Sequence, residues 1–428
     1  GLAANSIIPV KKTLVMNLLE NGWPATLEKA EGIAIINDST IAISNDNDYA
    51  QTTLNGAEDG VAVATSVTSH VLVFGLSGTS KLNNFVAPLT NNASISTAST
   101  PYVSPVASGV EAKAILTVGE EAPNGYKMVG LPDGLGAYDN GNGTFTLLMN
   151  HEIRATSGIV RAHGGKGAFV SKWVINKSDL SVVSGSDLIK TVKLWDASTS
   201  TYKTYGPSDT TKLKNLDRFC SADLPEVSAY YNSVTGAGTQ DRIFMNGEES
   251  NSESRAFAHV ATGSEAGVTY ELPRLGKGAW ENAVAHPATG DATLVGMCND
   301  GSTTDSKLYF YLGTKTKTGS VVEKAGLTNG KLYAVKIEGY AQERSSGTVS
   351  NGVPAAGAKF TLIDLGNVEN QTGAVTNTQA NTLGATKFSR VEDAAWNPSN
   401  MKEFYFNTTD QIDQVADGVG TQIGRSKL

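Results

Sequence analysis

Apolar residues in this chain fall in short runs bounded by Gly, Asn, Asp or Pro, and the runs come in pairs. Glu31-Gly32-Ile33-Ala34-Ile35-Ile36 is followed by Ile41-Ala42-Ile43-Ser44-Asn45-Asp46. Asp133-Gly134-Leu135-Gly136-Ala137-Tyr138 is followed by Phe145-Thr146-Leu147-Leu148-Met149-Asn150-His151-Glu152. Glu281-Asn282-Ala283-Val284-Ala285-His286 leads to Leu294-Val295-Gly296-Met297-Cys298-Asn299-Asp300, and Glu392-Asp393-Ala394-Ala395-Trp396-Asn397 to Phe404-Tyr405-Phe406-Asn407 and Asp410. A divergent copy opens on Cys220-Ser221-Ala222-Asp223 and closes on Ile243-Phe244-Met245-Asn246-Gly247-Glu248-Glu249. The first acid and the last are 15 residues apart from Glu31 to Asp46, 19 from Asp133 to Glu152, 19 from Glu281 to Asp300 and 18 from Glu392 to Asp410. That spacing predicts two strands of about five or six residues joined by a tight turn.

Strands joined in this way are antiparallel, so each pair returns its two acids to one edge. A repeated hairpin unit in an all-β chain predicts a β-propeller, in which the first strand of each blade lines the central channel. About six blades are expected, with five to seven as the range. Third strands are expected at Phe169–Ile175, Ala256–Val260 and Leu308–Leu312. The whole of 1–428 reads as one propeller domain, with polar surface insertions near 86–110 and 339–358. The intervals of 102 residues from Glu31 to Asp133 and 111 from Glu281 to Glu392 leave room for a further blade or a decorated loop. Only 18 residues follow Asp410, so the last blade reads as incomplete at the C-terminus. Thr13–Leu18 is the candidate to close the ring; a strand edge left open is a site for self-assembly.

Composition fits this picture. Gly numbers 45, charged residues make up only 18 %, and net charge is −8. The acidic balance excludes a nucleic-acid binder, which needs a basic face. The Ser, Thr, Asn and Gly content suits a secreted, extracellular or periplasmic protein, and the longest apolar stretch, around His70–Gly75, is too short to span a bilayer. Cys220 and Cys298 read either as one disulfide or as two buried thiols.

The propeller geometry would gather Glu31, Asp133, Glu281 and Glu392 about one axis, with Asp46, Glu152, Glu248, Asp300 and Asp410 beside them. Carboxylates so placed must bind protons, cations or basic side chains. Many hard oxygen donors favour calcium. The plainer alternative is that each acid caps a turn. Other chemistries lack their signatures. No Gly-x-Ser-x-Gly elbow carries a triad, His151, His163 and His286 are isolated, and no glycine-rich loop opens a helix.

Several segments resemble the PhoX family of secreted bacterial alkaline phosphatases and its propeller relatives. They are Leu131-Pro132-Asp133-Gly134-Leu135-Gly136-Ala137-Tyr138, Leu148-Met149-Asn150-His151-Glu152, Cys220-Ser221-Ala222-Asp223-Leu224-Pro225, Asn246-Gly247-Glu248-Glu249, Glu271-Leu272-Pro273-Arg274-Leu275-Gly276, and the stretch from Glu323 to Tyr333. Lys29-Ala30-Glu31-Gly32-Ile33-Ala34 with Ser44-Asn45-Asp46 is similar to a blade of phytase-like and esterase-like propellers. The resemblance implies a calcium- and iron-dependent phosphomonoesterase acting on a small phosphoester. It implies Glu248, Glu249, Glu281 and Glu392 as metal ligands and a basic side chain at the phosphate; Arg390, two residues before Glu392 and on its face by strand alternation, is the candidate, an ordinary ion pair being the plainer alternative. The family carries an iron-ligating cysteine before its paired glutamates; Gly247 stands there in this chain, and Cys220 and Cys298, the candidates to substitute for it, do not sit at the matching position, which argues against iron. Two functions follow: a metal-dependent phosphoester hydrolase, and a non-catalytic, calcium-stabilised propeller with a structural, adhesive or filament-forming role.

Overall fold

The computed structural model describes residues 30–37, 39–45, 70–76, 110–343 and 354–409, together with 78, 97 and 99. The protein is a β-propeller. The first blade is β1 (Ala30–Asn37), β2 (Thr40–Asn45), β3 (His70–Leu76) and β4 (Val110–Thr117), antiparallel in that order. The second is β5 (Pro132–Asp139), β6 (Thr144–His151), β7 (Phe169–Asn176) and β8 (Val182–Asp187).

The third blade is larger. A hairpin of β9 (Thr191–Asp196) and β10 (Thr201–Tyr205) precedes its inner strand, β11 (Phe219–Asp223), and β12 (Tyr231–Asn232) pairs β13 (Ala237–Gly238) in a short ribbon. β14 (Ile243–Glu248), β15 (Ala256–Val260) and β16 (Val268–Glu271) complete the blade, and β9 extends it by parallel pairing with β16. The fourth blade runs β17 (Trp280–Ala285), β18 (Ala292–Asn299), β19 (Leu308–Thr314), β20 (Lys331–Ile337) and β21 (Phe360–Gly366). A one-turn helix, α1 (Val321–Lys324), and a longer one, α2 (Gly373–Thr382), lie in its connections. The hairpin β22 (Val391–Trp396) and β23 (Phe404–Thr408) begins a fifth.

The inner strands stand side by side in chain order, β1 beside β5, then β11, β17 and β22. Packed between two blades, an inner strand is covered on both faces. All six residues of β17 are buried accordingly, as are those of β14 next to the inner strand of the third blade, whereas β10 on the rim is exposed or half-buried throughout. The core lies in the wedges between blades. Leu148, Val170, Phe219, Phe244 and Phe257 fill the wedge between the second and third blades. Trp280, Tyr309, Tyr311 and Leu332 pack with Met245 and Tyr270 between the third and fourth. Each fully buried Phe here contributes about 1.5–3 kcal/mol. The turns are those the sequence marks. Gly141 and Gly143 take φ of +72° and +84° between β5 and β6, and Asp139 Oδ1 accepts the Gly141 N–H at 2.8 Å.

The three expected third strands form as β7, β15 and β19. The expectation of about six blades is corrected: the described residues form four blades and the inner hairpin of a fifth. The two long intervals hold no extra blade among the described residues. They contain the outer strands of the first blade, and the five strands of the fourth with α2. Most of 86–110, residues 344–353 of the second insertion, Thr13–Leu18, Asp46 and Asp410 lie outside the described residues. No helix among the described residues is long and apolar enough to cross a membrane.

Candidate metal centre

One irregularity recurs at the same place in all five inner hairpins. The register steps from Ala30↔Asn45 to Gly32↔Ser44, and from Pro132↔His151 to Leu135↔Met149. It steps from Phe219↔Glu248 to Ala222↔Asn246, from Trp280↔Asn299 to Asn282↔Cys298, and from Val391↔Thr408 to Ala394↔Phe406. Each inner strand therefore carries one extra residue, a β-bulge, which bends the strand and re-aims a side chain. The bulges contain Glu31, Asp133, Cys220, Glu281 and Glu392, one per blade.

A second repeated feature brings in the outer acids. The carbonyl of the residue before the inner strand accepts the N–H of the residue that follows the second strand. Leu131 pairs so with Glu152 at 2.9 Å, Arg218 with Glu249 at 2.9 Å, Ala279 with Asp300 at 2.8 Å and Arg390 with Thr409 at 3.1 Å. Leu131, Arg218 and Arg390 adopt φ of +53°, +37° and +58°, left-handed values that cost a non-glycine residue about 1–2 kcal/mol each.

These two features converge seven donors. Oxygen or sulfur atoms of Asp133, Glu152 and Cys220 lie within 4.8 Å of one another; so do those of Cys220, Glu249 and Glu281, and those of Glu281, Asp300 and Glu392. The three groups share Cys220 and Glu281, so they form one continuous band. None of the seven residues is more than 8 % exposed.

Two arginines bridge four of these carboxyl groups. Arg218 Nε donates to Glu152 Oε1 at 2.5 Å, and its Nη2 reaches Glu249 Oε2 at 2.7 Å. Arg390 holds Asp300 with two bonds, Nε to Oδ1 at 2.8 Å and Nη2 to Oδ2 at 2.6 Å, and meets Glu392 at 3.0 Å. Neutral donors add to this: Ser221 Oγ donates to Glu281 at 2.8 Å and Thr409 Oγ1 to Glu392 at 2.6 Å. The crowding shifts the titrations. Burial pushes the Glu249 carboxyl well up; Arg218 opposes this, while Glu152, Asp300 and Glu392 reinforce it. Burial, then Asp133 and Glu281, push the Cys220 thiol up. Burial works against the charge on Arg218, but Glu152 and Glu249 outweigh it and raise its pKa.

Of the acids singled out from sequence, Asp133, Glu152, Glu249, Glu281, Asp300 and Glu392 meet here, and Arg390 lies among them. Glu248 does not join them. It turns away to Arg255, which holds it with Nε to Oε2 at 2.8 Å and Nη2 to Oε1 at 2.6 Å, and the Asp217 amide donates to it at 3.1 Å. Glu31 sits in the bulge of β1, and its side chain lies outside the described residues. Arg218 was missed in the sequence, and Cys220, which opens the divergent copy, was weighed there as a metal donor only as a substitute for the cysteine that Gly247 replaces. The signal was present: Arg218-x-Cys220 matches Arg390-x-Glu392, with a thiol in the place of the acid. Cys220 and Cys298 are both free and buried, so the disulfide reading is set aside.

The donors suit two kinds of cation. Glu281, Asp300 and Glu392 offer oxygen alone, the chemistry of calcium. The two groups containing Cys220 mix thiol and carboxylate, a set that admits a transition metal such as iron. A side chain at 247 would place its Cβ 2.3 Å from Cβ of Trp280, so a cysteine does not fit there; the thiol that lies among the acids is that of Cys220.

No protein-family model matches this chain, and no curated protein matches it. Among solved structures it is similar to Pseudomonas fluorescens PhoX in complex with vanadate, a transition state analogue. Identity is 12 %, the match covers 71 % of this chain and 60 % of that one, and the TM-score is 0.44. The chain therefore spans less than two thirds of that protein's length.

Proposed function

We propose that the band of buried acids and the Cys220 thiol bind multivalent cations, and that the centre so formed hydrolyses phosphoesters outside the cytoplasm. The observation that carries the reading is the meeting of six carboxyl groups and a thiol in one buried band, the donor atoms of each group of three lying within 4.8 Å of one another. Deprotonated carboxylates held so close favour a bound cation. Glu281, Asp300 and Glu392 would hold calcium. Asp133, Glu152, Cys220 and Glu249 would hold a transition metal. Cations bound there would polarise phosphoryl oxygens and lower the pKa of bound water. The reaction class comes from the motif resemblance, and the extracellular setting from the Gly, Ser, Thr and Asn composition.

The chain's own residues set the geometry. The bulges aim the inner donors, and the carbonyl-to-amide bonds before each inner strand fix the outer ones. Arg390 is about one-fifth exposed at its side chain, so it can meet a phosphate while keeping its bond to Asp300. Its planar guanidinium suits paired contact with oxyanions.

A second reading has an observation of its own. Both arginines already spend their donors on carboxylates, the arrangement expected of a structural calcium staple without turnover. The test is hydrolysis of an aryl phosphate at alkaline pH, with calcium alone and with calcium plus ferric iron. Turnover that is lost in Glu281→Gln supports the hydrolase. Metal binding with no turnover under either condition supports the staple.

A further inference from the structure

A buried line of polar side chains leads to the Cys220 bulge from the far side of the third blade. Thr269 on β16, His259 on β15, Asn246 on β14 and Asn150 on β6 are all fully buried. His259 Nδ1 is 2.8 Å from Thr269 Oγ1, and its Nε2 is 2.8 Å from Asn246 Oδ1. Asn246 Nδ2 donates to Asn150 Oδ1 at 2.8 Å. Asn150 Nδ2 donates to the carbonyl of Cys220 at 2.6 Å and to that of Ser221 at 3.2 Å.

The direction of the line is fixed at its inner end. Backbone carbonyls only accept, so Asn150 must present its amide nitrogen to them. Its oxygen then accepts from Asn246. The Asn246 oxygen in turn accepts from Nε2–H of His259, whose Nδ1 accepts from the Thr269 hydroxyl. Burial keeps His259 neutral, with its pKa pushed down to about 3, as this order requires.

The two carbonyls belong to the stretch where β11 leaves its ladder with β14. In the second blade Ser44 Oγ donates to the Asp133 carbonyl at 3.3 Å. The Cys220 thiol itself donates to Asp133 Oδ2 at 3.4 Å, a weak bond, so the backbone that Asn150 holds contributes to its aim.

We infer that His259 is a positioning residue for the Cys220 thiol, acting through Asn246 and Asn150 to hold the bulge that aims the sulfur at the acids. The inference rests on the proposed role of Cys220 as a metal donor. Fixing a donor through a second layer of hydrogen bonds is worth about 10–100-fold in metal affinity.

Cobalt(II) titration of the full chain tests this, because a bound thiolate gives a ligand-to-metal charge-transfer band. The native protein should show the band and Cys220→Ser should lack it. His259→Leu should weaken cobalt binding by about 10–100-fold and reduce the band per bound ion. His259→Gln, which can return an N–H to Asn246, should recover most of both. Asn246→Leu keeps a similar volume yet can neither accept from His259 nor donate to Asn150, and serves as the second variant if His259→Leu does not fold. Unchanged affinity and band in the folded variants overturn the positioning role alone. Cobalt binding by the native protein without the band overturns the reading of Cys220 beneath it.

Discussion

Arg218 and Arg390 occupy one structural position in two different blades. Each stands left-handed immediately before an inner strand, two residues ahead of the donor in the bulge. Each bridges an acid of the preceding blade to an acid of its own: Glu152 to Glu249, and Asp300 to Glu392. The centre is thus built from a repeated clamp, and the clamp depends on the guanidinium.

Replacing Arg390 by Gln should therefore leave Asp300 and Glu392 poorly compensated. In chelator-treated protein the expected loss is about 2–4 kcal/mol, below the usual figure for a broken buried pair because the side chain is partly exposed. Calcium should restore most of it. Urea unfolding with and without calcium measures both, and an equal loss in the two conditions would contradict the compensation argument.

Gly247 is expected to tolerate no side chain. A Cβ there would lie 2.3 Å from Cβ of Trp280, an atom fixed to the backbone of the neighbouring inner strand. Gly247→Ala should cost about 1–3 kcal/mol through overpacking, and Gly247→Cys at least as much without restoring a metal ligand. The shift of the urea midpoint reports it. A neutral Gly247→Ala would show that the blades can separate at this point.

Asp223 gives the stability a pH dependence of its own. Burial raises its pKa from 3.8 to about 7, and only the Ala285 amide, donating at 2.9 Å, opposes this. Between those values the folded chain holds a proton that the unfolded chain has released. Stability from this group is therefore greatest below the unfolded pKa and falls as pH rises towards 7. A shift of this size amounts to at most about 4 kcal/mol, less for a half-buried carboxyl that water can reach. Asn can accept the same amide, so Asp223→Asn should flatten the slope between about pH 4 and pH 7. A slope that survives the substitution would place its origin elsewhere.

The hairpins and their paired acids were legible because both ends of an antiparallel hairpin meet at one edge, and the chain marks both with acids. The bulges were not legible, since an extra residue in a strand demands no particular residue type. The choice between Glu248 and Glu249 depends on them. Adjacent residues of a strand point to opposite sides, and the register alone decides which one faces the ring. Cys220 opens the divergent copy and was not placed among the acids, because the third blade carries a thiol where the others carry a carboxylate. Fewer blades than expected form among the described residues, where outer strands and α2 fill intervals long enough to suggest whole blades.

Elemental analysis of the purified full chain, repeated on Glu281→Gln and Cys220→Ser, is the most direct test of cation binding by these side chains. Calcium should co-purify and fall in Glu281→Gln, a transition metal should fall in Cys220→Ser, and a chelator should lower the melting temperature of the native protein. Native protein that carries neither ion, and whose melting temperature ignores both calcium and chelator, would show that the six acids are held together without metal.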